Sequence, residues 1–268
     1  MTYAAAIQMS SGSDKRANFE RAERLVREAA ERGADLVVLP EVFSWRGPRS
    51  AEADAGEDVP GEATARLGGL AAELGIHLQA GSIPEKVPGE RRCYNTALLF
   101  APDGSLVARY RKIHLFDVEM PDQVSARESA TRMHGEEAIV ATTAIGRIGL
   151  SICYDLRFPE LYRRLAAAGA EVICVPSAFT FPTGAAHWET LVRARAIENQ
   201  AYVIAPDQVG SSPNGWRDYG DSMIVDPWGT VLARAGEGEQ VIVAPIRLDY
   251  LARVRAELPA LRHIRLQG

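Results

Sequence analysis

An approximate internal repeat is the feature that most constrains the fold of this chain. Residues 33–40 read GADLVVLP and residues 169–176 read GAEVICVP, so glycine, an acidic residue, an apolar run and proline recur in order. A helical pattern precedes each copy, over residues 14–32 and 160–168, and a hairpin signal (PDG, then PWG) follows later in each half. This alternation favours an α/β fold in which two sheets pack together with helices outside.

Further elements complete the two halves. Helices are predicted over residues 62–74 and 187–200, and strands over residues 76–83 and 202–205. Strands bounded by glycine and proline are common in proteins, so the alternative is that the two halves resemble each other by coincidence. No linker rich in Pro, Gly or Ser separates the halves, so we expect a single domain over residues 1–268.

The composition excludes several classes of partner. Hydrophobic residues make up 47% of the chain and charged residues 24%, which is typical of a globular protein. The formal net charge of -5 gives no electrostatic reason to expect nucleic acid or an anionic membrane. No apolar run approaches the roughly 18 residues of a membrane span, and the first residues lack the basic segment of a signal peptide. We therefore expect a cytoplasmic protein.

The three cysteines form no CxxC pair, so we interpret each as a thiol. Cys174 falls inside the second copy of the repeated strand, where Val38 stands in the first, and is expected in the core. Cys93 lies in a polar segment without a nearby base and is interpreted as structural. Cys153 ends an apolar run and precedes polar residues, so it is either a small buried hydrophobe or a nucleophile at the end of a strand.

Two other candidate residues share the position of Cys153. Glu41 follows a buried strand, and Lys112 stands where a strand runs into a loop. The carboxyl ends of strands are where α/β proteins commonly collect their site residues. Each residue alone is more often an ordinary surface or core group, so the hypothesis depends on their convergence.

Together the three residues would suit acyl transfer at an amide carbon. An ammonium about 4 Å away could lower the pKa of the Cys153 thiol by up to roughly 3 before desolvation opposes it. Glu41 could take the thiol proton and return it to a leaving amine. The Lys112 ammonium and a backbone N–H such as that of Tyr154 could stabilise the tetrahedral oxyanion.

Other catalytic chemistries have less support. His77 lies in an apolar strand and is expected in the core, whereas His114 could support the site near Lys112. The sequence has no metal-ligand spacing such as HExxH and no glycine-rich phosphate loop, so we expect neither a metal nor another cofactor.

Three ordered segments carry a family resemblance. LPE at residues 39–41, YRKIHLF at residues 110–116 and ICYDLRFPE at residues 152–160 resemble the signatures of the nitrilase, or carbon–nitrogen hydrolase, superfamily. The likeness extends over essentially the whole chain, including the GAAHWE and DPWG blocks. It implies a four-layer α-β-β-α sandwich of two similar halves.

The resemblance also implies roles. Glu41 would be the general base, Lys112 the oxyanion-stabilising cation and Cys153 the nucleophile that forms a thioester. Glu128 best matches a second glutamate of the family, and we assign it to orienting Lys112 or the substrate; a simple loop carboxylate is the alternative. Members commonly form homo-oligomers, which favours a dimer here, with residues 251–266 taking part or forming a solvated amphipathic tail.

Within the superfamily the chain looks most like the omega-amidases and deaminated-glutathione amidases. These act on small carboxylated amides, either the omega-amides of 2-oxo acids or deaminated glutathione. An N-carbamoyl amino-acid amidohydrolase and a catalytically idle partner-binding relative remain as alternatives. The chain departs from the branch at residues 125–127, 131–135 and 207–214, which could border the pocket.

Three residues after the second repeated strand are candidates for lining the substrate pocket. They are Phe179, Thr183 and His187. For His187, packing within its predicted helix is the alternative.

Overall fold

Two β-sheets form the centre of the structure, a computed structural model that describes residues 1–120, 124–212 and 215–266. The helices are α1 (Lys15–Glu31), α2 (Glu62–Leu74), α3 (Pro159–Ala167), α4 (Phe181–Asn199) and α5 (Leu248–Glu257). The strands are β1 (Thr2–Gln8), β2 (Leu36–Val38), β3 (His77–Gln79), β4 (Ile83–Glu85), β5 (Cys93–Phe100), β6 (Leu106–Arg111), β7 (Asp117–Met120), β8 (Val124–Arg127), β9 (Arg132–Met133), β10 (Ile139–Thr143), β11 (Gly146–Leu150), β12 (Val172–Cys174), β13 (Tyr202–Ala205), β14 (Val209–Ser211), β15 (Arg217–Tyr219), β16 (Met223–Val225), β17 (Val231–Arg234) and β18 (Gln240–Ile246).

The two sheets have the same strand order and orientation. The first runs β18-β1-β2-β3-β5, with β6 on the far edge of β5, and the second runs β10-β11-β12-β13-β16-β17. In each sheet three adjacent parallel strands are flanked on both sides by antiparallel ones. The shared topology confirms the two similar halves that the repeated sequence predicts, and it is not explained by coincidental local motifs.

The alternation of side chains along β1 shows how the layers pack. Ala4 and Ala6 belong to the apolar core that the first sheet shares with the second. Ala5 and Ile7 belong to a separate core with α1 and α2. Because successive residues of a strand point to opposite faces, a strand buried on both faces must be apolar throughout. The helices therefore cover the outer faces, which confirms the four-layer sandwich.

Some sequence-based boundaries were wrong. Helix α4 begins at Phe181 rather than at residue 187, because Pro182 occupies the first turn, where its missing N–H costs no helical hydrogen bond. The strand predicted over residues 76–83 is divided into β3 and β4 by a turn at Gly81.

The expectations for two cysteines had different outcomes. Cys174 is fully buried in β12, as predicted, and burial raises the pKa of its thiol. Cys93 is not in a polar loop, since it begins β5 and its thiol contacts the Thr131 carbonyl oxygen at 3.8 Å. Burial, followed by the charge of Glu52, raises the pKa of the Cys93 thiol to about 12. Both thiols are therefore protonated at neutral pH.

The helices of the described ranges were also compared with the length and apolarity that a bilayer requires. Among residues 1–120, 124–212 and 215–266, none of the helices meets both requirements for crossing a membrane.

The turn at Gly81 fixes the path of the chain just before Glu41. Gly81 has φ +51, and a Cβ added there would lie 2.0 Å from the Pro40 carbonyl oxygen. In the next residue, the Ser82 hydroxyl accepts a hydrogen bond of 2.9 Å from the Val42 N–H. The close approach of the two backbones therefore requires glycine at this position.

Substitution of Gly81 tests this requirement. We expect Gly81→Ala to lower the free energy of unfolding by more than about 2 kcal/mol, because both the left-handed backbone and the contact with Pro40 oppose a methyl group. The matched control is Gly69→Ala, on the exposed face of α2 with open space around it, which we expect to stabilise by about 0.5–1 kcal/mol. Urea unfolding measures both, and equal stability of Gly81→Ala and the wild type would contradict the requirement.

Candidate active site

One cavity collects candidate residues from both halves of the chain. Glu41, Lys112 and Glu128 line it from the first half, and Cys153 lines it from the second. Glu41, Lys112 and Cys153 each lie within three residues after a strand of a central sheet, namely β2, β6 and β11. The sequence predicted that these three residues converge, because each follows a strand, and the structure places them in one cavity.

Glu41 is held from several sides. Its side chain is buried, and the Asn95 amide donates to Oε1 at 2.8 Å. The Glu41 N–H donates to the Ser177 carbonyl at 3.3 Å, and the Gln208 amide donates to the Glu41 carbonyl at 2.9 Å. Ser177 follows β12, which is the counterpart of β2, so the repeated segments of the two halves meet at this point. Glu41 is therefore held by both halves, its carboxylate by the first and its backbone by the second.

Lys112 is a buried ammonium between two carboxylates. Its Nζ lies 2.9 Å from Glu41 Oε1 and 2.9 Å from Glu128 Oε2, and its side chain is only 2% exposed. Burial by itself would lower the pKa of Lys112, but the charges of Glu128 and Glu41 outweigh it, and the pKa is raised. The lysine is therefore a permanent cation at this site.

Glu128 is fixed in turn by residues that sequence analysis missed. Arg132 pairs with both Glu128 and Glu52, and the Phe116 N–H donates to Glu128 Oε2 at 2.5 Å. Although burial opposes it, the charges of Lys112 and Arg132 lower the pKa of Glu128 to about 2. A continuous row of alternating charges results, from Glu52 through Arg132, Glu128 and Lys112 to Glu41. The only advance signal was that Arg132 lies in a segment that departs from the amidase branch.

The backbone of Cys153 is strained. It adopts a left-handed conformation with φ +47 at the start of the 3₁₀ turn Cys153–Arg157. Such a conformation costs a non-glycine residue of order 1–3 kcal/mol and persists only where the surroundings impose it. The Cys153 N–H donates to the Pro176 carbonyl at 2.9 Å, so it is occupied and does not face the cavity as a free donor.

The protonation state of Cys153 corrects an expectation from the sequence. Burial raises the pKa of the thiol well above its ordinary value, and the charge of Glu41 raises it further. The Lys112 ammonium lowers the pKa, but burial and the Glu41 charge together outweigh it. Cys153 is therefore a thiol in the resting site, with the Glu41 carboxylate beside it.

Asp155 connects the turn that begins at Cys153 to the segment that contains Lys112. Its Oδ2 accepts from the Ile152 N–H at 2.8 Å and from the Tyr110 hydroxyl at 2.7 Å. Its Oδ1 accepts from the His114 N–H at 3.1 Å and lies 2.7 Å from His114 Nδ1. The His114 ring also stacks on Phe158 with centroids 3.7 Å apart. His114 thus supports the two segments that carry Cys153 and Lys112.

The candidates for the substrate pocket divide into two groups. Phe179 and Thr183 line the cavity, as does Tyr154, the candidate backbone donor for the oxyanion. His187 is not part of this lining, because α4 turns Trp188 into the core and leaves His187 on the exposed face. There, His187 Nδ1 lies 3.2 Å from an Arg157 guanidinium nitrogen.

The three segments that depart from the amidase branch also differ in their placement. Residues 131–135 contribute Arg132 to the cavity lining, whereas residues 125–127 and 207–212 contribute no lining residue. Residues 213–214, the end of the third segment, lie outside the described residues.

The arrangement is suited to transfer of an acyl group to sulfur. A thiol lies beside a carboxylate that can accept its proton, and a fixed ammonium lies where negative charge would develop on a carbonyl oxygen. In the part of the chain that the structure describes, no group of His, Cys, Asp or Glu side chains could hold a metal ion.

Comparisons with known proteins give one consistent result. The family model described as carbon-nitrogen hydrolase matches residues 3–256. A deaminated glutathione amidase of Synechocystis sp. is 44% identical over 263 residues, which are 97% of each protein. Omega-amidase NIT2 of Xenopus tropicalis is 43% identical, over 97% of this chain and 93% of that protein. The crystal structure of the C. elegans NitFhit protein superposes with a TM-score of 0.91 at 41% identity, over 98% of this chain and 65% of that one.

Replacement of Glu128 tests the row of charges. We expect Glu128→Gln to lower the free energy of unfolding at neutral pH by about 3 kcal/mol, because Lys112 and Arg132 lose a shared buried partner. A lowered carboxylate pKa stabilises the fold above its ordinary value of 4.5 and ceases to do so as the pH falls towards about 2. The variant should therefore lose less stability than the wild type between about pH 5 and pH 3.

Urea unfolding over a series of pH values measures this difference. The control is Glu136→Gln, an exposed glutamate that makes none of these contacts and should leave the pH dependence unchanged. Parallel curves for Glu128→Gln and the wild type would contradict a stabilising role for the Glu128 charge.

Proposed function

Because the chain belongs to the carbon–nitrogen hydrolase family, we propose that it hydrolyses the amide of a small carboxylated substrate and releases ammonia. Deaminated glutathione is the substrate named by one relative, and omega-amides are the class named by another, which we take to be those of 2-oxo acids. The observation that carries the proposal is a buried thiol beside Glu41 in a cavity that also contains the Lys112 ammonium. The protein is thus an amidase with cysteine as its nucleophile.

Glu41 acts as the general base. It takes the thiol proton as the sulfur of Cys153 attacks the amide carbon, since the raised pKa leaves little thiolate beforehand. The C–N bond then breaks, the proton passes to the leaving nitrogen, and ammonia departs from a thioester. A water molecule, deprotonated by Glu41, attacks the thioester carbon, and the carboxylic acid leaves as the thiol is restored.

Lys112 and the Tyr154 N–H stabilise the oxyanion. The Cys153 N–H is bound to the Pro176 carbonyl and is not free to bind the oxyanion, so we assign the backbone donor to Tyr154, the next residue of the turn. One fixed donor of this kind is typically worth about 10²–10³ in rate. Glu128 orients Lys112, because its carboxylate binds the ammonium at 2.9 Å, the same distance as that of Glu41.

Substitution of the nucleophile separates this function from its alternatives. We expect the wild type to release ammonia from 2-oxoglutaramate or deaminated glutathione, and Cys153→Ala to release none while remaining folded. The matched control is Cys174→Ala, a buried cysteine in the core of the second sheet, which should retain activity. Activity of Cys153→Ala equal to that of the wild type would overturn the mechanism. Turnover of only an N-carbamoyl amino acid would overturn the substrate class.

The same proposal covers the domain organisation, the cellular location and the absence of a cofactor. Residues 1–268 act as one catalytic domain, which is supported by a cavity that takes residues from both halves. A cytoplasmic location is supported by three cysteines that are all free thiols. The protein acts without a cofactor.

A homodimer completes the proposal, with the segment after β18 in the interface. Leu258 is 51% exposed and Ile264 is 42% exposed, so this segment offers apolar surface for a second copy. We expect light scattering to give about twice the chain mass of 29.1 kDa, and the double variant Leu258→Glu/Ile264→Glu to shift towards the monomer. The control Leu106→Glu, on β6 of the first half, should stay dimeric, and a monomeric wild type would contradict the proposal.

A further inference from the structure

The lining of the active-site cavity carries more positive than negative side chains. Five cationic residues and three glutamates line it. Three of the cations are neutralised by carboxylates: Lys112 by Glu41 and Glu128, Arg132 by Glu52 and Glu128, and Arg46 by Asp218. The two that form no ion pair with a described residue are Arg49 and Arg157.

Arg49 is the less satisfied of these two arginines. Its Nη1 is buried, and it donates to no acceptor among residues 1–120, 124–212 and 215–266. The Arg49 guanidinium carbon lies 6.0 Å from the centroid of the Trp216 ring. Burial, followed by the charge of Arg132, lowers the pKa of Arg49. A buried guanidinium N–H without an acceptor is costly, and that cost is relieved when an anion binds.

Arg157 has partners of its own. Its guanidinium lies 5.9 Å from the Tyr154 ring centroid and 5.4 Å from that of Phe179. It also contacts the His187 ring at 3.2 Å. These contacts hold Arg157 against the aromatic wall of the cavity, so its charge is partly satisfied without a ligand.

We propose that Arg49 binds the carboxylate of the substrate. The inference rests on the proposed function, and it makes Arg49 the residue that selects amides bearing a carboxylate at the end away from the reacting bond. A guanidinium can bind a carboxylate through two parallel hydrogen bonds, which fixes orientation as well as position. With its carboxylate on Arg49, the substrate presents its amide carbon to Cys153, which lines the same cavity.

The three glutamates of the cavity strengthen this selection. A substrate carboxylate placed against Glu41 or Glu128 would be repelled by those charges, whereas Arg49 forms no ion pair with a described residue and has a buried N–H free to bind it. The binding energy gained at Arg49 is thus available to orient the amide, and it is absent for a neutral amide of the same length.

The test compares a charged and a neutral substrate of matched length. Ammonia release is measured for 2-oxoglutaramate and for levulinamide, which has a methyl group in place of the carboxylate. For Arg49→Gln we expect kcat/KM for 2-oxoglutaramate to fall about 10- to 100-fold, largely through KM, and that for levulinamide to change less than about threefold. Arg49→Lys keeps the charge without the two-pronged geometry and should lie between Arg49→Gln and the wild type.

Three further variants complete the design. Arg157→Gln tests the rival arginine, and Arg24→Gln, on the exposed face of α1, should match the wild type on both substrates. In the Cys153→Ala background, calorimetric binding of 2-oxoglutarate, the product of 2-oxoglutaramate hydrolysis, should weaken about 10- to 100-fold on adding Arg49→Gln. Circular dichroism verifies that each variant is folded. If Arg49→Gln is not folded, Arg49→Lys is compared with the wild type on the two substrates instead.

Each outcome bears on a distinct claim. Equal losses on both substrates, no loss for Arg49→Gln, or a selective loss only for Arg157→Gln would overturn the role of Arg49 while leaving the amidase intact. A wild type that hydrolyses neither 2-oxoglutaramate nor deaminated glutathione would instead overturn the proposed function.

Discussion

A buried ammonium held between two carboxylates is the interaction on which the rest of the site depends. Lys112 is almost fully buried, so its charge depends on the carboxyl groups of Glu41 and Glu128 beside it. Arg132 and Glu52 extend the compensation outward. Because each charge in this row has a charged neighbour, the geometry around the thiol is fixed before any substrate arrives, which is what electrostatic catalysis of amide hydrolysis requires.

The duplicated architecture explains why the site forms where it does. The segments after β2 and β12 are counterparts, and the hydrogen bond from Glu41 to Ser177 joins them. Cys153 leaves the second sheet at the same end, and Asp155 ties its turn to the segment carrying Lys112. The hydrolase chemistry therefore belongs to the junction of the two sheets rather than to either half.

Sequence could predict the two-sheet fold and the convergence of Glu41, Lys112 and Cys153, because the repeat and the strand ends are local patterns. The family resemblance added Glu128. Sequence could not predict that Arg132 or Asn95 would hold these groups, since such contacts arise only when distant segments pack. Sequence could not predict the direction of the Cys153 pKa either, because burial, which raises this pKa most, is known only once the segments have packed.

The pairing of β1 with β18 has a consequence for how the chain is made. Thr2 pairs with Ile246 and Gln8 with Gln240, so the edge of the first sheet is completed by β18, the last strand of the described residues. While the ribosome is still translating the second half, β1 has a free hydrogen-bonding edge, of the kind that invites pairing with other nascent chains. The apolar residues 4–7 therefore gain the pairing that completes their burial only after β18 has been made.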